Sequence, residues 1–207
     1  MKQIVLLGDS VFDNGAYVGS QPDVARQTEQ MLPRGWKAAL NARDGAVIAD
    51  IESQMSKLPE GTTHLVLSVG GNDALKQSGA LDASVDSVAN ALTMLNFVRE
   101  NFRTSYSRML DKLASLRLPA AICTIYDPRY PDVGRRTIAA AALTLLNDAI
   151  TREAFARDMT LIDLRLICDQ DEDFANPIEP SAKGGEKIAR AISRFLNDEY
   201  DARLIAK

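Results

Sequence analysis

An α/β/α sandwich wrapped around a parallel sheet is the fold this sequence predicts, on three observations. Short apolar runs bounded by Gly, Pro, Asp or Asn recur along the chain, and amphipathic segments long enough for helices separate them. Within each run the apolar residues are nearly consecutive, as in strands buried on both faces. Strands joined through helices form a parallel sheet by right-handed crossovers, which places helices on both sides.

The first strand is Ile4–Leu7, and Gly8-Asp9-Ser10 follows it at once. Trp36–Leu40, Leu65–Val69, Ala120–Ile125 and Leu161–Leu164 complete a set of five. Between the third and fourth, Val88, Leu92, Leu95, Phe102, Tyr106, Met109 and Leu113 recur at helical steps and predict a helix from about Val85 to Leu113 with a core-facing stripe. A second helix is expected over Ile138 to Phe155, and a last one presents Ile188, Ile192, Phe195 and Leu196 on one face. The result is a five-stranded parallel, flavodoxin-like sheet. One domain spanning 1–207 is expected, because 207 residues suffice for one sizeable core and no repeat or linker divides them.

Composition narrows the function. A net charge of −4 without any long Lys/Arg block argues against nucleic acid as the main partner. No apolar run approaches the roughly 20 residues that span a bilayer, and Ile4–Leu7 is too short for a secretory signal. Cys123 and Cys168 have neither metal-ligand nor disulfide-framework spacing and read as buried free thiols in a reducing compartment. The expected location is cytoplasmic and the expected partner a small molecule.

In an open parallel sheet, ligands bind beyond the carboxyl ends of the strands. That edge gathers Asp9 and Ser10, the Ala42–Val47 segment, Gly70 to Asp73, and Tyr126 to Tyr130. Ser10 is either a nucleophile aimed at the crevice or ordinary turn chemistry. Asn72 either donates to a developing oxyanion or caps the next helix, with Asp73 favourable in that helix's first turn. Glu179 lies between Pro177 and Pro180, which stiffen its loop.

Together these segments resemble the GDSL, or SGNH, hydrolase family. Gly8-Asp9-Ser10 matches the motif that carries the nucleophile, and Gly70-Gly71-Asn72-Asp73 matches the Gly-x-Asn-Asp block, whose Asn helps form the oxyanion hole. Arg43-Asp44-Gly45-Ala46 falls at the second block, where the register leaves Gly45 or Ala46 to supply a backbone N–H. The resemblance implies a serine esterase for small carboxylic esters, with no cofactor and no metal. Ser10 would be nucleophile, and Ser10, Gly45 or Ala46, and Asn72 would form the oxyanion hole. Asp9, Gly70, Asp73, Tyr126 and Arg129 would contact substrate.

The chain departs from that pattern near its end. Where the family has Asp-x-x-His, this sequence reads Asn176-Pro177-Ile178-Glu179. The only histidine, His64, precedes the third strand, roughly 20 Å from the crevice at about 3.3 Å per residue, so it is expected to be structural. Glu179 is then the candidate base, with the Asn176 amide expected to donate to its carboxylate. Two other readings stand beside the esterase. One is a non-catalytic acyl- or carbohydrate-binding protein, and the other a Mg²⁺-dependent phosphoesterase built on Asp9, Asp13, Asp73 and Glu179. A nucleotide site at Val69-Gly70-Gly71 lacks a phosphate-loop lysine.

Overall fold

The structure is a computed structural model that describes residues 2–196 and 204–205. The five expected strands are present as β1 (Lys2–Gly8), β2 (Trp36–Leu40), β3 (Thr62–Ser68), β4 (Ala120–Cys123) and β5 (Thr160–Ile162). All are parallel, and a two-residue β6 (Leu204–Ile205) extends the sheet beyond β5. The order is β2-β1-β3-β4-β5-β6. The chain leaves β1 toward one edge, then crosses back to β3. The crevice outside the carboxyl ends of β1 and β3 is therefore the topological switch point.

Alternation along each strand divides the core between the two faces. Val5, Leu7, Leu65, Leu67 and Ile122 pack on one face beneath α4 (Val88–Ser115) and α5 (Val133–Phe155). Ile4, Leu6, Val66, Ala121 and Ile162 pack on the other, against α1 (Val24–Met31) and α7 (Ala182–Leu196). Short helices α2 (Ile51–Met55), α3 (Gly71–Lys76) and α6 (Leu164–Ile167) edge the sheet. His64 lies within β3 and packs edge-on to Trp36 and Phe195, with ring centroids 4.7 and 5.9 Å away, on a structural site as expected.

Local chemistry sets the helix starts. Ser87 caps α4 and Asp132 caps α5, each accepting from the backbone N–H three residues on. So α4 begins three residues after Val85, and α5 begins five before Ile138. The core-facing stripe on α4 needs a larger correction. Phe102, Tyr106, Met109 and Leu113 are buried, but Val88 is 77% and Leu92 58% exposed. Length explains it: 28 helical residues span about 42 Å and a seven-residue strand about 23 Å. Because α4 runs antiparallel to the strands, its first half overhangs their carboxyl ends, above the crevice. Among the described residues no helix is long and apolar enough to cross a membrane.

Candidate active site

Gly8 ends β1 with φ +134°, and a Cβ there would lie 1.8 Å from the Ser68 carbonyl oxygen, so only glycine fits. Gln54 clasps the same residue, accepting from its N–H and donating to its carbonyl, both at 2.8 Å. A tight turn follows. Val11 N–H donates to Asp9 Oδ1 at 3.1 Å, and the Phe12 and Asp13 N–H groups donate to the Asp9 carbonyl. Ser10, 7% exposed, is thereby fixed at the wall of a cleft that Asp9, Asn72, Tyr126 and Glu179 also line. Ser10, Asn72 and Glu179 thus share one cleft although they are far apart in the chain.

Backbone contacts hold the Glu179 loop in place. Phe174 bridges Pro180, Ala175 N–H donates to the Glu179 carbonyl, and Tyr126 Oη donates to the Ile178 carbonyl at 2.6 Å. Asn14, fully buried four residues after the serine, donates to the Pro180 carbonyl at 3.1 Å and accepts from Val24 N–H. The carboxylate of Glu179, only 5% exposed, is left for the cleft. Burial raises its pKa, and the neighbouring Ser10 hydroxyl opposes that rise. Its Oε2 is buried without a hydrogen-bond partner. Asp9 lies deeper still, and burial pushes it up to about 7.

A family model for the GDSL-like lipase/acylhydrolase family matches residues 6–187. The chain belongs to this family. It is accordingly related to hydrolases of ester bonds. Among solved structures, the extracellular lipase of Streptomyces rimosus matches with a TM-score of 0.67 and 17% identity, over 97% of this chain and 100% of that one. Phospholipase A1 from Streptomyces albidoflavus matches at 0.62 and 21% identity, over 96% and 99%. The lipase/acylhydrolase from Enterococcus faecalis matches at 0.63 and 21%, over 94% of each chain. At these identities the likeness is one of fold. No curated protein matches the sequence.

Set against the family pattern, several expected roles change. Asn176 does not face the Glu179 carboxylate: its Oδ1 accepts from the N–H groups of Ile178 and Glu179, both at 3.0 Å, on an exposed turn. A short amide side chain finds those nearby donors before it can reach across the loop. Asp73 is not among the residues lining the cleft: it accepts from Ile48 N–H at 3.1 Å, tying α3 to the turn after the second block. Gly70, at φ +122°, backs onto Phe102, whose ring a Cβ would approach to 3.0 Å. Arg129 braces the Glu179 loop, donating its N–H to the Pro177 carbonyl at 2.7 Å.

In the second block, Ala46 N–H donates to the Arg43 carbonyl, and Asn72 Nδ2 donates to the Ala46 carbonyl at 3.0 Å. Gly45 and Ala46 line a second hollow and are not among the residues lining the serine cleft. Among the described residues, no group of three or more His, Cys, Asp or Glu side chains is placed to hold a metal ion, so the four carboxylates weighed for Mg²⁺ do not converge as ligands.

Sequence reasoning matched Asp13-Asn14 to the segment that follows the family's nucleophile but did not read the Asn14 bond to Pro180, and it missed Gln54 and Asn147. Asn147 clasps Ile125 just past β4 as Gln54 clasps Gly8, with both bonds at 2.8 Å. For Gln54 and Asn147 the available signal was an amide on an otherwise apolar helix face, which must find backbone partners when buried.

Most of the remaining lining is hydrocarbon. Leu75, Leu81, Leu95, Val98, Leu143 and Leu146 are among the lining residues of the cleft, drawn from α3, the 78–82 turn, α4 and α5. The space within it measures about 130 Å³.

Proposed function

We propose that this chain is a serine esterase that hydrolyses esters of apolar acyl chains, with Glu179 in the place of the usual histidine base. The observation that carries the reading is that Ser10 and the buried Glu179 carboxylate share the wall of one apolar cleft, near enough for the serine hydroxyl to act on the carboxylate. Ser10 Oγ attacks the ester carbonyl carbon while its proton passes to Glu179. The oxyanion is held by the second Asn72 Nδ2 hydrogen and by the N–H groups of Ser10 and Gly45. Gly45 is preferred over Ala46 because the Ala46 N–H is committed to Arg43. Glu179 then protonates the leaving alcohol, and a water deprotonated by Glu179 releases the acid from Ser10.

Burial compensates in part for the weak basicity of a carboxylate by raising the Glu179 pKa. The apolar lining of the cleft favours acyl chains longer than acetyl over the smallest esters. No cofactor enters this chemistry. A cytoplasmic site of action fits the two free, buried cysteines.

The test is labelling with a fluorophosphonate probe alongside turnover of an octanoyl ester. Ser10→Ala is expected to lose both. Glu179→Gln is expected to lower kcat on the order of 10²- to 10⁴-fold, the usual worth of a general base. Since only ionised Glu179 accepts a proton, wild-type activity should fall as pH drops through a value above the ordinary glutamate range. Full Ser10-dependent turnover in Glu179→Gln would assign the base elsewhere. If no ester is turned over and the probe leaves Ser10 unlabelled, the chain is an acyl-binding protein on the same fold.

A further inference from the structure

A second hollow, of about 450 Å³, opens beyond the carboxyl end of β2 and shares no lining residue with the serine cleft. Arg43 and Asp44 from the second block, Asp50 and Ser53 from the start of α2, and Lys57 just past that helix form its walls, with buried Gln54 among them. Small-molecule sites are commonly of this volume but mostly apolar. This lining is polar, so its occupant must be hydrophilic.

The charges around the hollow are unequally satisfied. Asp44 accepts from Tyr17 Oη at 2.7 Å, and Asp50 accepts from Val47 N–H at 2.9 Å. Arg43 and Lys57 are exposed, and among the described residues neither pairs with a carboxylate. The unmet demand is therefore for an anion. Asp44 and Asp50 oppose a bare anion, yet their remaining lone pairs accept hydroxyl hydrogens. A molecule carrying both an anion and hydroxyl groups meets the whole lining.

The same walls hold the turn that carries the nucleophile. Gly8, two residues before Ser10, accepts at its carbonyl from Arg43 N–H at 2.9 Å and from Gln54 Nε2 at 2.8 Å. Ala46, also in the wall, accepts from Asn72 Nδ2 at 3.0 Å. A ligand seated against Arg43 and Gln54 binds best when those contacts are made, and so favours the arrangement that makes them.

We propose that this hollow is an effector site for a phosphorylated sugar or polyol, whose occupancy steadies the Ser10 turn. Arg43 takes the phosphate through two parallel N–H···O bonds and Lys57 adds a point charge. Asp44, Asp50 and Ser53 take the hydroxyls. The ligand is bound and released unchanged. Binding stands on this lining alone, whereas an effect on turnover rests on the Ser10 esterase reading above.

Glucose-6-phosphate, glucose and inorganic phosphate are the probes, titrated calorimetrically into the whole chain at matched ionic strength. Glucose-6-phosphate is expected to bind about tenfold more tightly than either fragment. Lys57→Gln should weaken it about tenfold and Arg43→Gln by more, since a bidentate contact is lost. Arg136→Gln, in the first turn of α5, is the control and should leave binding unchanged. Amide exchange across residues 8–13 should slow on binding, and Ser10-dependent turnover of an octanoyl ester should rise about threefold. That rise should vanish in Lys57→Gln.

Binding no tighter than that of inorganic phosphate overturns the site, as does binding that Arg43→Gln and Lys57→Gln leave intact. Binding lost in Arg136→Gln places the ligand elsewhere and overturns it too. Unchanged exchange across residues 8–13, or ester turnover that ignores the bound ligand, overturns the effector role. Slowed exchange in a chain that turns over no ester sinks only the catalytic reading.

Discussion

From Phe102 to Leu113, α4 buries its apolar stripe against the sheet, while from Val88 to Leu95 the same spacing faces open space and the cleft. Both halves obey one periodicity, yet only one has a protein partner. Helical spacing decides which residues share a face. What that face meets is decided by how far the helix runs past the strands beneath it. The buried half stabilises the fold. The overhanging half stays uncovered at the carboxyl edge of the sheet, where a parallel α/β protein places its ligand.

The largest contrast should come from truncating the buried half. Leu110 is fully buried, and Leu110→Ala is expected to lose about 2–5 kcal/mol of unfolding free energy, measured by denaturant titration. The ratio of octanoyl to acetyl ester turnover should stay unchanged. A loss below about 1 kcal/mol would show that this half is not the stabilising one.

The buried half also reaches the site, because Tyr106 lies close enough to Asp9 for that carboxylate to raise the tyrosine pKa, burial being the larger cause. Asp9 itself moves from 3.8 to about 7 on burial. Its protonated form is the one that suits the fold. The stability it contributes is complete below about pH 3.8 and is lost as pH rises through about 7. Asp9→Asn should remove that slope and stabilise the chain by about 1–3 kcal/mol near pH 8, read from melts across the range. A slope that persists in the variant would place the titrating group elsewhere.

The smallest stability effects belong to the overhang. Leu95→Gln should change unfolding by less than about 1 kcal/mol while raising KM for an octanoyl ester about tenfold relative to an acetyl ester. Val88→Ser, at a site 77% exposed and outside the cleft lining, should change stability by no more than about 0.5 kcal/mol and leave that ratio alone. If both variants destabilise as Leu110→Ala does, the overhang is core and the comparison fails.

The strands were readable because each is a short apolar run with turn residues at its ends, a pattern a few neighbouring residues settle. Ser10 and Asn72 were readable for a related reason: each follows a strand directly and inherits its position from it. Glu179 could be placed only through the family's Asp-x-x-His frame and the two prolines that stiffen its loop. The partners of Asn14, Gln54 and Asn147 were not readable, since each acts on backbone brought to it by folding: Pro180, Gly8 and Ile125.

By itself the sequence determined a parallel α/β sheet with a serine at the end of its first strand and an amide beyond its third. Those features follow from hydrophobic runs and turn chemistry within a few residues. Only the tertiary structure decided that Asn176 serves its own turn, that Asp73 holds Ile48, and that half of α4 overlooks the cleft. It also brought Arg43 and Lys57 to one hollow beside the Gln54 clasp. The physical reason is range. A side chain's hydrogen-bond partners and burial depend on which distant segments pack beside it, and a local pattern carries no record of them.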